Sequence, residues 1–420
     1  MSPRVPGSKP ARMVGGRSAR PLRASVLSSG VNLATRHTPY RNRLAKLYGT
    51  RPRPGSARLV QQSIVETRSV AYPSLVERVK LADVAKAAGV HAGTASRALN
   101  PNTQRHVSRD TVRRVARAAE RLGYVPNAHA RGLRTARSYL VGVVVPDITN
   151  PLFSLILRGA EQVLTTAGYT VVLSDTNNDI RGPRSQVESL LARGADGFII
   201  ATAEWDDPLL EDLDDRDVAA VLANRNTRRG RWPYVGGDER AGIAMAVQHL
   251  RDLGHRRLLH LAGPQHLSTG RDRAEAFESA LRADSLPGGD AHVRVTGAFT
   301  EAAGFDGMTA VLAGPDRFSG VVAGNDLIAL GALDALRAAG VRCPEDVSLT
   351  GFNDMPFVDR LTPPLTTVRL PLEEMGRMAA NELLALLRGQ PSVRARRSTL
   401  LPVELMVRGT TQRHEPSRTT

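Results

Sequence analysis

The spacing of apolar positions changes character twice along the chain. Up to about residue 78 no periodicity is sustained, and segments such as Arg51-Pro52-Arg53-Pro54-Gly55-Ser56 punctuate the sequence. From Val79 a helical period begins: Leu81, Val84, Ala85 and Ala88 recur on one face, and Gly89 stands where a left-handed C-terminal residue would end the helix. A second short helix is predicted from about Ala92 to Leu99, stopped by Asn100-Pro101. Ser108-Arg109-Asp110-Thr111 then opens a third, with Val112, Val115, Ala119 and Leu122 on one face and Gly123 at its end. Three short helices with a tight glycine turn between the first two outline a helix-turn-helix domain.

Beyond Ser138 the period alternates between strand and helix. Strand-like runs fall at 139–145, 170–174, 197–201, 218–222, 258–262, 320–323 and 347–351, with helical stretches at 152–167, 184–193, 241–253, 272–283, 302–313 and 327–339. Such alternation predicts parallel sheets with helices on both faces. These strands are too many for one small sheet. The expected α/β architecture is therefore a helix-turn-helix domain followed by a sensor of two doubly wound subdomains, with a ligand cleft beyond the carboxyl ends of the strands.

Charge sharpens this division. Of the net +16, residues 1–78 hold 15 Lys/Arg against 2 acids, and residues 79–137 hold 12 against 3. The remainder is mildly acidic, so the N-terminal third is the part suited to meet polyphosphate. Residues 1–78 read as a disordered basic extension, with a start codon called too early as the alternative. The single Cys343 excludes an internal disulfide. The Arg-rich start lacks the apolar core of a signal peptide, and the run Tyr139–Val145 is far too short to span a bilayer. A cytoplasmic, nucleoid-associated location is expected.

Several ordered stretches carry a resemblance. They are Val79-Lys80-Leu81-Ala82-Asp83-Val84-Ala85, Ala88-Gly89-Val90, Thr94-Ala95-Ser96-Arg97-Ala98-Leu99-Asn100 and Leu122-Gly123-Tyr124-Val125-Pro126-Asn127, then Val145-Pro146-Asp147-Ile148-Thr149-Asn150-Pro151, Asn325-Asp326-Leu327-Ile328-Ala329-Leu330-Gly331, Gly351-Phe352-Asn353-Asp354 and Pro363-Pro364-Leu365-Thr366-Thr367-Val368. In this order, over residues 79–409, they resemble the lac repressor (LacI/GalR) family of transcription regulators.

The resemblance implies domains at 79–126 (DNA reading), 127–137 (hinge helix and linker) and 138–409 (effector binding and dimerisation, crossing between lobes near 237, 370 and 400), then a tail at 410–420. It implies that the second helix enters the major groove, with Ala92, Gly93, Thr94, Ser96 and Arg97 facing DNA. Arg97 is the best base reader, because its fork matches guanine O6 and N7. The family usually has serine where His91 stands, so a helix cap worth about 1 kcal/mol is expected to be lost. Asn127, Ala130 and Leu133 would enter the minor groove, Leu133 as the wedge.

In the sensor, the resemblance places Asp147, Asn150, Phe153, Arg273, Asn325, Asp326, Asn353 and Asp354 around a small effector. For Asn325, Asp326 and Asn353, helix capping is an equally weighted reading. Sugar or a sugar derivative ranks first by family frequency and a nucleobase second. A homodimer on a pseudo-palindromic double-stranded DNA operator follows, repression being the commoner outcome, with no cofactor and no metal. The tail lacks apolar heptads, which argues against tetramers.

Two other classes fit worse. A periplasmic sugar-binding protein would carry a signal peptide and no helix-turn-helix. An enzyme would show a phosphate loop, a dinucleotide fingerprint or an H-E-x-x-H pair, and none is present. His249, His255, His260 and His266 lack zinc-ligand spacing and read as core or surface residues.

Overall fold

In the computed structural model the described residues are 79–100, 103–124, 137–179, 182–282, 291–390 and 398–414. Contacts divide the chain at Arg78, into 1–78 and 79–420. The first unit, with the predicted extension, lies outside the described residues.

The helix-turn-helix domain comprises α1 (Leu81–Ala87), α2 (Ala92–Leu99) and α3 (Arg109–Leu122). Its small core is built from Val84, Ala85, Ala95, Ala98, Val115, Ala118 and Ala119. The alanines let three short helices approach closely. Gly89 makes the turn at φ +63°, a conformation that strains any residue with a Cβ. Gly123 ends α3 at φ +64°, and its N–H returns to the helix carbonyls.

The sensor follows as two lobes. The N-terminal lobe holds a six-stranded parallel sheet in the order β11-β5-β4-β3-β1-β2. Its strands are β1 (Leu140–Val145), β2 (Thr170–Asp175), β3 (Gly197–Ile200), β4 (Ala220–Ala223), β5 (Tyr234–Gly237) and β11 (Ser398–Leu401). Helices α4 (Pro151–Thr166), α5 (Gly182–Ala192) and α6 (Pro208–Asp215) connect them.

The C-terminal lobe has the order β12-β10-β9-β8-β6-β7, parallel except that β12 runs against β10. It contains β6 (Leu258–Ala262), β7 (Ala291–Val295), β8 (Gly320–Ala323), β9 (Ser348–Asn353), β10 (Thr366–Arg369) and β12 (Glu404–Met406). Its connecting helices are α8 (Ser268–Arg282), α9 (Glu301–Leu312) and α10 (Asp326–Ala338).

The chain passes between lobes three times: from β5 into α7 (Glu239–Asp252), from β10 into α11 (Leu372–Leu387), and from β11 into β12. Helix α11 returns to the first lobe and packs against α4. Glycines make that approach possible, because a Cβ at Gly159 would lie 1.9 Å from the Glu373 carbonyl oxygen and one at Gly376 2.0 Å from that of Ile156. One continuous core therefore includes Ile156 and Met375 of the first lobe and Phe277, Phe352 and Val368 of the second. All of the strand-like and helical runs read from the sequence past Ser138 appear. Strands β5, β7, β10, β11 and β12, and helices α6 and α11, are additional to those runs. No helix among the described residues is long and apolar enough to cross a membrane.

Candidate functional site

Helix α2 buries Ala95 and Ala98 and turns Gly93 and Arg97 to solvent, with Ala92, Thr94 and Ser96 half-buried. The cap expected to be lost is present in another form: the Nδ1 of His91 accepts the Gly93 N–H at 3.2 Å. An imidazole nitrogen reaches the same orphan donor that a serine oxygen would, provided the ring is neutral and Nδ1 carries no proton. Arg97 lies along the helix, its Nε donating to the Gly93 carbonyl at 3.2 Å. Its outer guanidinium nitrogens are presented from an exposed face. Asn127, Ala130 and Leu133 lie outside the described residues.

The second site lies between the lobes, at the carboxyl ends of both sheets. A cavity of about 370 Å³ is lined by residues following β1 (Asp147, Asn150, Phe153), β3 (Thr202, Glu204), β4 (Arg225) and β6 (Pro264, His266), with Phe299 from the loop before α9. It continues into a narrow inner pocket of about 20 Å³, reached by Asn224, Arg273, Asn325 and Asn353 and sharing Asn150, Phe153, Arg225 and Phe299. Two hydrogen bonds from backbone N–H groups join the lobes beside it: Trp205 N–H to the His266 carbonyl, and Asn226 N–H to the Ser268 hydroxyl, both at 2.8 Å. The Arg271 guanidinium sits 4.9 Å over the Trp205 ring on the same side.

Each lobe offers an asparagine at a helix start. The Oδ1 of Asn150 accepts the Leu152 N–H at 3.1 Å to cap α4, and that of Asn325 accepts the Ile328 N–H at 2.8 Å to cap α10. Capping occupies the amide oxygen and not the NH2 group, so a capping role does not exclude a ligand-facing one. Arg273 is 2% exposed. Its Nε donates to Glu239 Oε2 and its Nη1 to the Gly324 carbonyl, each at 2.5 Å, while the ring of Phe352 lies 3.9 Å beneath. That leaves Nη2 for a ligand.

Asn353 is held at φ +120°, with its Oδ1 buried and lacking a hydrogen-bond partner among the described residues. The Oδ1 of Asn224, the hydroxyl of Thr202 and the Nε of Arg225 are in the same position. A buried polar atom left unpaired costs about 1–3 kcal/mol, and these four belong to residues that line one or both compartments. Arg225 has no ion pair among the described residues. Burial lowers its pKa to about 10; Glu204 opposes that fall and Arg273 adds to it. It stays charged at neutral pH.

Two of the expected effector contacts point elsewhere. Asp326 is fully buried and lines neither cavity: Oδ1 accepts the Thr367 hydroxyl at 2.5 Å and Oδ2 the Met355 N–H at 2.8 Å. Burial pushes its carboxyl up to about 6, against the pull of those hydrogen bonds. Asp354 is clamped by Arg369 and Arg408 at 2.8 and 2.7 Å. Both carboxylates fasten the loop after β9, which suits positions where an unpaired charge would be expensive to bury. The residues overlooked, Thr202, Glu204, Asn224, Arg225, His266 and Phe299, could partly have been found. The first four directly follow runs already read as strands, where an open α/β sheet puts its ligand.

Comparison with known proteins bears on both sites. A family model described as bacterial regulatory proteins, lacI family, matches residues 80–127, and one for a periplasmic binding protein-like domain matches residues 247–411. The ribose operon repressor of Escherichia coli (strain K12) is 32% identical over 328 residues, covering 78% of this chain and 98% of that repressor. Among solved structures, the lac repressor dimer bound to operator and the anti-inducer ONPF matches with a TM-score of 0.70 and 28% identity, covering 80% of this chain and 100% of that one. The complex of the regulator CelR with cellobiose matches with a TM-score of 0.59 and 32% identity, covering 79% and 100% respectively.

Proposed function

Since the chain belongs to the lacI family of bacterial transcription regulators, we propose that it is an effector-controlled repressor that reads a pseudo-palindromic operator as a homodimer. The family's members are DNA-binding regulators and not enzymes. On this reading α2 lies in the major groove, Arg97 reads a guanine edge, and Thr94 and Ser96 contact phosphates or bases. Asn127, Ala130 and Leu133 enter the minor groove between the two half-sites.

The effector is a sugar or sugar derivative held between the lobes, controlling their angle and through it the spacing of the paired hinges. Relatives named for ribose and solved with cellobiose support a sugar. The observation that carries the reading is a set of buried polar atoms without hydrogen-bond partners among the described residues (Thr202 Oγ1, Asn224 Oδ1, Arg225 Nε and Asn353 Oδ1), on residues that line an interlobe cavity, in a chain that also holds a helix-turn-helix domain.

Selection of operators from random duplex DNA by the full chain, with Arg97→Ala as control and at fixed salt, tests the DNA half. A two-fold symmetric site that Arg97→Ala fails to enrich is the expected outcome. Binding that is blind to sequence and falls steeply with salt would overturn it, because phosphate contacts alone behave in that way.

A further inference from the structure

Helix α3 holds five arginines against two acids. Arg109, Arg113, Arg117 and Arg121 follow one another four residues apart, with Arg114 beside them, and all five are exposed. Resting on the reading of α2 above, we infer that this row binds the phosphate backbone of a second DNA segment, without regard to sequence, while α2 holds the operator.

The direction of the row is the first ground. Val115, Ala118 and Ala119 turn the opposite side of α3 into the core shared with α1 and α2. Ala95 and Ala98 likewise turn α2 inward and leave Gly93 and Arg97 outside. Three helices around one core point their outer faces in three directions, so a straight duplex lying against Arg97 leaves the length of the arginine row uncovered.

The missing partners are the second ground. None of the five arginines has a side-chain hydrogen bond or ion pair among the described residues. Exposed arginines of the sensor meet acids instead: Arg216 meets Glu188 at 2.6 Å, Arg229 meets Glu211 at 2.7 Å and Arg342 meets Asp346 at 2.5 Å. Those acids are therefore not free to receive the row. Like charges four residues apart disfavour a helix, and a cation at Arg109 opposes the helix dipole. The row keeps its charge against both effects, which an external polyanion offsets.

Spacing is the third ground and selects the partner. Four residues advance a helix by about 6 Å, so Arg109 to Arg121 extends about 18 Å, the axial rise of about five phosphates on one strand. Guanidinium forks grip phosphate oxygens in pairs. An extended row of them matches a linear polyanion better than a compact one. One dimer would then hold two DNA segments, one by its sequence and the other by its backbone alone.

The test uses the full chain on beads carrying a duplex with the selected operator, and measures capture of a labelled duplex that lacks it. Wild type should hold the second duplex at about 50 mM salt and release it steeply as salt rises. Arg113→Gln/Arg117→Gln/Arg121→Gln should flatten the slope of log affinity against log salt by about 2.7, from about 0.9 for each phosphate lost. Capture of the second duplex should fall at least about tenfold, whereas operator affinity should change less than about threefold. Thermal melting should not drop, because glutamine suits a helix about as well as arginine and removes the repulsion. Arg109 is left in place because it directly follows the Ser108 cap.

Absence of second-duplex capture by wild type overturns the inference. Capture undiminished in the triple variant also overturns it, and assigns the second duplex to the basic residues before Val79. A parallel loss of operator binding does the same, because the row then lies on the operator itself. Capture of double-stranded RNA at least about tenfold tighter than the DNA segment overturns DNA as the partner. The operator selection with Arg97→Ala judges α2 separately, so a failure of that reading is told apart from a failure of this one.

Discussion

Arg273→Met is the substitution whose cost the structure allows to be worked out most fully. The Arg273–Glu239 pair is closed at 2.5 Å with side chains 3% and 5% exposed, and Glu239 Oε1 already lacks a partner among the described residues. Methionine keeps most of the stem's volume and removes the charge, so the Glu239 carboxylate is left buried without compensation. Breaking one side of a buried pair costs about 3–5 kcal/mol. Loss of the guanidinium stacked 3.9 Å over Phe352 adds up to about 2 kcal/mol. Against a total stability of about 5–15 kcal/mol, the single variant should be severely weakened even without ligand. The double variant Arg273→Met/Glu239→Gln removes the stranded charge and should regain about 1–3 kcal/mol. Urea denaturation of the ligand-free protein followed by circular dichroism reads both values. A single-variant loss below about 1 kcal/mol, or a double variant no more stable than the single, would refute the claim that the buried Glu239 carboxylate is compensated by Arg273.

His91→Ala should destabilise α2 locally by about 1 kcal/mol, and His91→Ser should restore it, as followed by hydrogen exchange across residues 92–99. His260 is buried and held down to about 4 by desolvation, from an ordinary 6.5. The unfolded chain therefore binds its proton first, and this residue's contribution to stability falls as pH drops from 6.5 to 4. Asp326 acts with the opposite sign: with its pKa raised from 3.8 to about 6, its contribution is complete below 3.8 and is lost as pH rises through 6. Relative to wild type between pH 4 and 6, His260→Asn should tilt stability downward with rising pH and Asp326→Asn upward. Melts across that range that shift identically in both variants would contradict these assignments. Asn325→Ala should cost about 1 kcal/mol as a lost cap and should also weaken the effector, which calorimetry separates from melting.

Legibility in the sequence followed how strongly each element carries its own signal. Helices α1 to α3 have a heptad-like apolar face and glycine stops, and the buried parallel strands β1, β3, β6 and β8 are short apolar runs between helices. These were plain. Strand β5, Tyr234-Val235-Gly236-Gly237, contains two glycines where side chains would collide with Tyr234 and Leu370, so a strand scale passes it over. Strand β12 is three residues of an edge, and β10 is a threonine-rich run following two prolines. Helix α11 carries a clear apolar face, Leu372, Met375, Ala379 and Leu383, although it stands outside the strand and helix alternation predicted from the sequence. Among site residues, Asn150, Phe153, Asn325 and Arg273 were placed from the resemblance, and the structure sets them around one cavity. Asp326 and Asp354 show the limit of such reasoning. A carboxylate next to a ligand-facing asparagine can turn to the protein instead, and only the positions of Thr367, Met355, Arg369 and Arg408 decide it.

The two asparagine caps bear on how a ligand could act at a distance. Asn150 belongs to the N-terminal lobe and Asn325 to the C-terminal lobe, and each spends its oxygen on its own helix. A ligand touching one of them gains the same free energy whatever the angle between the lobes, and such a ligand shifts no equilibrium. A ligand that engages both at once binds only over a narrow range of angles, and the differential affinity this creates is what can move the lobes. Asn353 adds a mechanical connection. Its carbonyl accepts the N–H of Leu370 at 3.4 Å, where the chain leaves β10 for the other lobe. A ligand that re-orients the strained Asn353 backbone, at φ +120°, therefore acts one hydrogen bond from a crossing strand. Leu370 in turn packs where a Cβ on Gly237, at the first crossing, would meet it at 2.3 Å. The pocket-lining Asn353 and two of the three crossings are thus within a few atoms of each other. A lobe rotation driven from this cavity needs no long relay of side chains through either core.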